Sequence, residues 1–294
     1  MLIYNSTINK IARTAIRPFS KIIPGKFKFP VKGKYNIKLN EKTSIKFACN
    51  ETSYCGKILF WDGVEGYEYS VISIFMELLK EVTTFFDVGA NLGYYSLVGK
   101  AINPLVKIIS FEPMPGPQNY FKKNLALNSF NDIVLEPLAL SNNEGEMEFT
   151  SVINRKFAHV KDQLAGDGSL FDKKDGYAKL VKVQVKVDML DNYVKRNNIT
   201  SLELIKLDVE AHEDIVLSGA KNILQNFKPI IICEVLKGKV EANIQKALLP
   251  YGYEFYQATN NGLIKQDSIK HDGIINDYFM VHPDRKEMIR KFII

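Results

Sequence analysis

A glycine-rich turn between two apolar segments constrains the fold of this chain more than any other feature. The apolar run Phe85–Val88 contains Asp87, and the turn that follows is framed by Gly89 and Gly93. A helical pattern comes next, and a second apolar run ends at Glu112. A strand, a glycine turn, a helix and a strand in this order are typical of a unit that binds a nucleoside-type cofactor at the carboxyl ends of its strands. We therefore predict a cofactor site at this turn.

The two acids indicate which cofactor the turn would bind. Asp87 precedes the glycines, where a carboxylate would repel a pyrophosphate but attract the ammonium and sulfonium groups of S-adenosylmethionine. Glu112 can accept hydrogen bonds from both ribose hydroxyls. Glycine turns are common, so an ordinary turn without a ligand is the alternative. Ala139 and Ser141, after the third strand, would border the adenine or the methionine. The predicted cofactor-binding residues are Asp87, Gly89, Ala90, Asn91, Gly93, Tyr94, Glu112, Ala139 and Ser141.

Short apolar runs alternate with helical patterns along most of the chain. Such alternation predicts an α/β fold with a doubly wound, mostly parallel, Rossmann-like sheet. A polar stretch joins the last two strands and predicts an antiparallel C-terminal hairpin, and two alternating runs predict a small N-terminal β extension. The predicted strands are residues 35–39, 44–48, 84–88, 106–111, 132–136, 203–208, 229–235, 253–257 and 277–281. Helices are predicted near residues 67–80, 93–102, 115–127, 188–197, 211–226 and 239–249.

The predicted organisation is a basic N-terminal arm and hairpin, residues 1–60, followed by one large domain, residues 61–294. Within that domain, residues 142–187 interrupt the alternation of strands and helices. Strand patterns there flank a Gly- and Asp-rich loop over Ala165–Leu170. Because long irregular insertions near the substrate side of a sheet often close over ligands, we predict a lid or specificity loop in this insertion.

Positive charge is concentrated at the N-terminus. The net charge is +6, and residues 1–40 contain nine Lys or Arg and no acid, so the remainder carries about −3 (6 minus 9). Two interpretations stay open: a tail that contacts an anionic membrane surface, or an arm that docks on the chain's own domain or on a second subunit. No nucleic-acid-binding motif accompanies the bases, so we predict no nucleic-acid partner. Apolar residues at partly helical spacing lie among the bases: Ile8, Ile11, Ala12, Ile16, Phe19, Ile22 and Ile23.

Several classes of protein are disfavoured by what the sequence lacks. No apolar stretch reaches about 18 residues, so no transmembrane helix is predicted. The N-terminus has no continuous apolar core before a small-residue cleavage site, so no signal peptide is expected. Cys49, Cys55 and Cys233 are odd in number and irregular in spacing, which favours neither a disulfide framework nor a zinc site. We therefore expect a cytoplasmic protein.

A second group of ionisable residues follows the strand at residues 203–208. Asp208 ends this strand, and Glu210, His212 and Glu213 follow where a helix begins. Methyl transfer to a hydroxyl needs a base, and histidine can serve near neutral pH while carboxylates orient it. We predict His212 as the base, with Asp208 and Glu210 as orienting or substrate-binding groups. For Glu213 the favoured interpretation is capping of the helix.

The next strand ends in a further carboxylate, Glu234. Burying it without a partner would be costly, so it has either a fixed partner or a substrate to hold, and both interpretations stay open. Asp208, Glu210, His212 and Glu234 could also bind a magnesium-like ion, and the sequence leaves metal binding undecided. Cys233, in the same apolar strand, is interpreted as core packing.

At these motifs the chain resembles the FkbM family of methyltransferases. The resemblance runs from about Tyr67 to Pro283, and the first 60 or so residues lie outside it. It implies a class I methyltransferase sheet and O-methylation with S-adenosylmethionine, acting on hydroxyls of sugars in glycans or glycolipids, or of natural products. The motifs that carry it, in order, are Phe86–Ser96, Phe111–Pro113, Ala139–Asn142, Gly168–Leu170, Asp188–Tyr193, Ile205–Glu213, Tyr251–Tyr253 and Asn276–Met280.

One residue departs from the family pattern. The family usually has glycine before the histidine of this motif, whereas this chain has Ala211. Alanine suits a helix start better than glycine does, but it tolerates a positive φ poorly. The backbone conformation at Ala211 therefore decides where His212 lies.

These observations together predict an S-adenosylmethionine-dependent O-methyltransferase. A nicotinamide-dependent oxidoreductase is one alternative, since it also uses a glycine turn and an acid after the second strand. Asp87 and the antiparallel ending argue against it. A non-catalytic binding protein with the same fold is the other, and the acids at the strand ends argue against that. The acceptor and the oligomeric state stay open.

Overall fold

The computed structural model describes residue 11 and residues 14–20, 22–164, 178–236, 238, 240–270 and 277–294. Its strands, in chain order, are β1 (Gly33–Lys38), β2 (Ser44–Cys49), β3 (Thr84–Val88), β4 (Lys107–Phe111), β5 (Val134–Glu136), β6 (Ala139–Ser141), β7 (Gly145–Asn154), β8 (Ala178–Met189), β9 (Leu204–Leu207), β10 (Ile230–Glu234), β11 (Glu254–Thr259), β12 (Gly262–Gln266) and β13 (Asp277–Val281). The α-helices are α1 (Tyr54–Asp62), α2 (Tyr69–Leu78), α3 (Tyr94–Ile102), α4 (Pro115–Asn128), α5 (Leu190–Arg196), α6 (Glu213–Ser218), α7 (Lys221–Asn226), α8 (Glu241–Leu248) and α9 (Lys286–Ile289).

The main sheet contains eight strands in the order β12-β11-β13-β10-β9-β3-β4-β5. The strands from β10 through β9, β3 and β4 to β5 are parallel. Helices cover both faces of this sheet, and alternate side chains of β3 enter different apolar clusters. Phe85 packs edge-on against Phe75 of α2 at 5.0 Å, and Phe86 packs against Tyr193 of α5 at 6.2 Å. Burial on both faces explains why the central strands are nearly continuous apolar runs. The predicted α/β class is confirmed.

The sheet ends in antiparallel strands, as the sequence predicts. β13 lies between β10 and β11 and is antiparallel to both. The polar stretch after β11 contains a strand that the sequence analysis did not predict, β12, which pairs with β11 through a tight turn from Thr259 to Gly262. Only Leu263 of β12 is deeply buried, while Ile264 is 38% exposed. So little burial leaves almost no alternation to detect in the sequence.

The helix predicted over residues 211–226 is two short helices, α6 and α7. They separate at Gly219, where a Cβ would lie 2.3 Å from the carbonyl oxygen of Ser141 in β6. The close approach of β6 requires glycine and ends α6 there. Helix α1 was not predicted, although Ser53 caps it by accepting a hydrogen bond from the Gly56 N–H at 3.0 Å.

The insertion contains a separate three-stranded sheet in the order β6-β8-β7. β7 and β8 form a long antiparallel pair. The predicted loop over Ala165–Leu170, like the motif at residues 168–170, lies outside the described residues. Its role as a lid stays a prediction.

The N-terminal β extension is the antiparallel pair β1–β2. Its buried side chains Ile37 and Phe47 belong to the same apolar cluster as Phe85 of the main sheet. The predicted domain boundary at residue 60 falls inside α1 and stays a prediction. Over the described residues, each helix is too short or too polar to span a bilayer.

Candidate functional site

The glycine turn lies where the carboxyl ends of β3, β4 and β9 meet. The N–H groups of Gly89 and Ala90 both donate to the carbonyl oxygen of Phe111 at 3.0 Å, which ties the turn to β4. Gly89 has φ +82°, and a Cβ there would lie 1.8 Å from the carbonyl oxygen of Asp208, just after β9. Glycine is required at this position for both reasons. The turn and the loop after β9 are therefore in backbone contact.

Asp87 is buried beneath the turn and fixes the start of α3. One carboxylate oxygen accepts the backbone N–H of Ser96 at 3.0 Å and also the Ser96 hydroxyl. Burial raises the pKa of Asp87 to about 6, although the Ser96 hydrogen bonds and the charge of Lys206 oppose the rise. Asp87 thus contributes negative charge from below the turn. Its predicted role in cofactor binding stays a prediction.

Glu112 reaches the other side of the same turn. Its Oε2 accepts the N–H of Asn91 at 2.8 Å and its Oε1 accepts the N–H of Met114 at 2.7 Å. Burial raises the pKa of Glu112 to about 7 in spite of these two hydrogen bonds. Each carboxylate oxygen keeps a second lone pair that could accept a ligand hydroxyl. The geometry therefore fits a pair of ribose hydroxyls at this position.

Two further polar atoms of the predicted cofactor set are buried without a hydrogen-bond partner among the described residues. They are the Oδ1 of Asn91 and the hydroxyl of Tyr94. Asn91 has φ +49°, a conformation that asparagine adopts more readily than most residues. Buried polar atoms without partners are rare and often mark ligand or water sites. This observation supports a polar cofactor at the turn.

Ala139 and Ser141 lie in β6, which belongs to the three-stranded sheet and not to the main one. Ala139 packs with Val185 and Val187 of β8. The hydroxyl of Ser141 lies 3.3 Å from the Oδ1 of Asn143. Neither contact joins these residues to the turn, and their predicted place beside the adenine or methionine stays a prediction.

The loop after β9 has an uncommon backbone conformation. Glu210 and Ala211 both have positive φ, at +57° and +68°. The conformation expected of glycine is thus present at Ala211, and His212 follows it as the residue before α6. Glu213, 1% exposed, holds this loop because its Oε1 accepts the N–H groups of Val209 at 3.1 Å and Ala211 at 3.3 Å. These bonds go to the loop before α6 and not to the first turn of the helix. The helix capping predicted for Glu213 therefore stays a prediction.

His212 faces the inserted sheet. Its ring lies 6.4 Å from that of Phe149 in β7, and its Nε2 is buried without a hydrogen bond to any described residue. A buried imidazole nitrogen without a partner can exchange a proton with a bound hydroxyl. The assignment of His212 as the base stays a prediction.

A buried lysine, which the sequence analysis missed, lies behind Asp208. Lys206 is fully buried, and its Nζ lies 3.5 Å from Glu68 Oε2, 3.6 Å from Asp208 Oδ2 and 5.1 Å from the Tyr95 ring centre. The Tyr95 hydroxyl donates to Glu68. Burial lowers the pKa of Lys206, but the carboxylates around it, Glu68 first, outweigh burial and raise it well above its usual value. The ammonium ion therefore stays charged and holds two carboxylates.

Two more carboxylates complete what we call the Lys206 cluster, which consists of Glu68, Tyr95, Lys206, Asp208, Glu234 and Asp277. Glu234 and Asp277 are opposite each other in the β10–β13 pair. Burial and the neighbouring negative charges raise the pKa of both carboxyl groups. Asp277 Oδ1 is buried without a hydrogen bond to any described residue. The one signal in the sequence was a lysine inside the apolar run Leu204–Leu207.

In the part of the chain that the structure describes, no group of three or more His, Cys, Asp or Glu side chains is placed to hold a metal ion. The residues for which the sequence left metal binding undecided include His212, whose ring faces β7, and Glu234, which is opposite Asp277 in the β10–β13 pair. The structure therefore does not bring this set together as a metal site.

Replacing Ala211 with glycine should stabilise the protein. A residue with a side chain destabilises the fold by roughly 1–2 kcal/mol when its backbone is in the left-handed region. Glycine removes this strain, but part of the gain is lost because glycine gives up more backbone entropy on folding. We expect Ala211→Gly to raise the free energy of unfolding by about 0.5–1 kcal/mol in urea denaturation. The matched control is Ala126→Gly in α4, where the helical φ should make glycine destabilising by about 1 kcal/mol. Destabilisation by both substitutions would contradict the strain at Ala211.

The raised carboxyl pKa values predict how stability changes with pH. A carboxyl group whose pKa is higher in the folded than in the unfolded protein makes its full contribution to stability at low pH. That contribution is lost as the pH rises through the folded pKa. The pKa is about 6 for Asp87 and about 7 for Glu112, and the pKa of Glu234 is also raised. We therefore expect the free energy of unfolding to fall from about pH 5 to about pH 8.

Glu234→Gln removes one of these groups and should make the pH dependence shallower, as measured by urea denaturation at several pH values. The control is Glu254→Gln, because ion pairs with Lys265 and Lys286 help to lower the pKa of Glu254 to about 2. Glu254 is ionised in both states across this pH range, so its removal should leave the slope unchanged. Equal slopes in wild type and Glu234→Gln would contradict the assignment.

Comparison with known proteins identifies relatives among methyltransferases. "Methyltransferase 1" of Beauveria bassiana is 25% identical over 179 residues, which are 55% of this chain and 68% of that protein. The methyltransferase sdnD of Sordaria araneosa is 30% identical over 151 residues, 45% of this chain and 58% of that protein. The hexuronic acid methyltransferase AglP of Haloferax volcanii is 24% identical over 181 residues, 62% of this chain and 67% of that protein.

Among solved structures, a methyltransferase FkbM from Methylobacillus flagellatus aligns with a TM-score of 0.46 and 12% identity, over 68% of this chain and 44% of that one. This chain thus spans less than half of that chain's length and 58% of the Sordaria protein. The model of the methyltransferase FkbM domain matches residues 87–255, which include the glycine turn, Glu112 and the loop after β9. The chain belongs to the FkbM family of methyltransferases.

Proposed function

We propose that this chain transfers a methyl group from S-adenosylmethionine to a hydroxyl oxygen of a sugar, of a glycan or glycolipid, or of a natural product. The observation that carries the proposal is the backbone contact between Gly89 and Asp208. It puts the predicted cofactor turn beside the loop that bears the predicted base. A hexuronic acid methyltransferase among the relatives supports a sugar acceptor.

The residues around the turn have distinct parts in cofactor binding. Glu112, held by two backbone N–H groups, accepts the ribose hydroxyls with its remaining lone pairs. Asn91 Oδ1 accepts a hydrogen bond from the cofactor, since it has no other donor among the described residues. Asp87 stabilises positive charge above the turn by its field, because its carboxylate is engaged by Ser96. When bound, S-adenosylmethionine supplies an electrophilic methyl group on a sulfonium sulfur.

The loop after β9 acts on the acceptor. His212 Nε2 takes the proton from the acceptor hydroxyl as the oxygen attacks. Asp208 and Glu210 orient the acceptor, and Lys206 fixes the Asp208 carboxylate from behind at 3.6 Å. Much of the rate comes from holding the two reacting atoms in line, which converts an encounter in solution into a reaction of a bound pair.

Cofactor binding is tested by isothermal titration with S-adenosylmethionine. We expect Glu112→Gln to weaken binding by about 10- to 100-fold, because hydrogen bonds to a charged group contribute roughly 1.5–3 kcal/mol. The matched control, Glu41→Gln in the turn between β1 and β2, makes the same chemical change away from the site and should bind like wild type. Absence of binding by wild type, or equal affinity in both variants, would contradict the cofactor assignment.

The base is tested by turnover against a panel of sugar, glycolipid and natural-product hydroxyls. His212→Ala should lower kcat by about 10²- to 10⁴-fold and leave the affinity for S-adenosylmethionine within about twofold. His282→Ala, near the C-terminus, is the control and should retain turnover. Wild-type turnover in His212→Ala from about pH 6 to about pH 9 would remove His212 from this role.

Two other hypotheses are separated by the same experiments. Family membership supports methyl transfer over nicotinamide chemistry. Binding of a nicotinamide cofactor without binding of S-adenosylmethionine would favour the oxidoreductase instead. A non-catalytic member would bind the cofactor and show no turnover on any hydroxyl of the panel. Activity that survives exhaustive chelation would rule out a required divalent metal, while activity restored by added magnesium would support one.

A further inference from the structure

The N-terminal arm and the β1–β2 hairpin form one surface. The Arg17 guanidinium donates to the carbonyl oxygen of Asn36 in β1 at 3.3 Å and lies over the Phe60 ring at 5.0 Å. Farther along the arm, Phe29 packs edge-on against Trp61 at 5.0 Å, and its carbonyl oxygen accepts the Trp61 indole N–H at 3.0 Å. The arm is therefore anchored to its own domain at two points.

The outer face of the hairpin is basic. Lys34 and Lys38 of β1 and Lys46 of β2 are exposed, whereas the alternate side chains are buried against the core. Lys46 is opposite Asn36, so the three lysines share the solvent-facing side of the pair. Two adjoining surface depressions meet here, one lined by Arg17 and Lys34 and the other by Lys34 and Lys46. We call Arg17, Lys34, Lys38 and Lys46 the basic face.

The basic face carries positive charge that the described acids do not neutralise. Lys28 and Lys32, nearby in sequence, form ion pairs with Asp62 and Glu51. Within the described ranges, no ion pair to an acid is found for any of the four residues of the basic face. Such a face attracts a surface of negative charge.

Exposed apolar side chains lie on the arm beside the basic face. Phe19 is 57% exposed and Ile22 is 78% exposed, and both lie between the anchor at Arg17 and the anchor at Phe29. Ile16, by contrast, packs against the core. The arm thus buries part of its apolar surface on its own domain and leaves Phe19 and Ile22 in solvent. Basic residues flanking exposed apolar ones are typical of segments that lie in a membrane interface.

We propose that the basic face and the adjoining segment of the arm dock on an anionic phospholipid bilayer. Arg17, Lys34, Lys38 and Lys46 contact the phosphate groups, and Phe19 and Ile22 enter the boundary between headgroups and acyl chains. A bilayer matches both components of this surface, because it offers negative charge and an apolar layer within a few ångströms of each other. A soluble polyanion such as nucleic acid would match the charge alone.

Vesicle co-sedimentation of the full chain tests the proposal independently of methyl transfer. The vesicles are phosphatidylcholine alone, or phosphatidylcholine with about one third phosphatidylglycerol. We expect binding to the anionic vesicles only, weakening as salt rises above about 0.1 M, because salt screens exposed charges. The triple variant Lys34→Gln, Lys38→Gln, Lys46→Gln should bind on the order of 100-fold more weakly, at about 1 kcal/mol per lysine near the surface.

The matched control removes the same charge elsewhere, through Lys107→Gln, Lys195→Gln and Lys221→Gln, three exposed residues outside the arm and hairpin. It should retain most of the binding. The double variant Phe19→Ser, Ile22→Ser keeps every charge and should bind about tenfold or more weakly to the same vesicles.

Three outcomes would overturn the proposal. One is equal loss of binding in the Lys34/Lys38/Lys46 variant and the control, which would indicate a general charge effect. Another is equal binding to neutral and anionic vesicles. The third is retention on immobilised heparin without vesicle binding, which would assign the basic face to a soluble polyanion. None of these results depends on whether the chain binds S-adenosylmethionine.

Discussion

The parallel pairing of β3 with β9 is the interaction on which the candidate site depends. It places the glycine turn after β3 against the loop after β9, so closely that only hydrogen fits on the Cα of Gly89 beside the Asp208 carbonyl oxygen. The Asp208 N–H donates to the Val88 carbonyl oxygen at 3.0 Å, which extends the ladder into the site. The two halves of the site thus have no freedom to separate while the sheet is intact.

Several ionisable side chains are buried at this edge of the sheet, and a buried charge is costly unless an opposite charge lies beside it. Lys206 is fully buried, yet it stays charged because Glu68 and Asp208 lie 3.5 and 3.6 Å from its ammonium group. Glu234 and Asp277 bring the cluster to four carboxyl groups around one lysine, and burial first, then the neighbouring negative charges, raises the pKa of both. The proposed cofactor carries positive charge, so its binding would relieve the same excess.

Predictions from the sequence were accurate where the pattern within a segment determines its structure, and wrong where a contact with a distant segment determines it. The strand at residues 84–88 was predicted at its observed bounds, because a strand buried on both faces must be apolar throughout. Residues 211–226 were predicted as a single helix but form two, because the break at Gly219 depends on the approach of Ser141 from a distant strand. β12 was missed because its burial depends on β11 and is too slight to set an alternating pattern.

The sequence by itself determined the α/β class, the glycine turn with its flanking acids, and the family to which the chain belongs. Local patterns suffice for the class and the turn, since apolar periodicity and turn residues report on neighbours along the chain. The family is identified by its motifs. Only the tertiary structure decided that Asp87 binds Ser96, that Ala211 has a positive φ, and that Glu68 and Asp277 join Lys206. Glu68 and Asp277 are far from Lys206 in the chain, and Asp87 meets Ser96 only when α3 packs beside β3. Electrostatics and close packing act through space and leave no local signature.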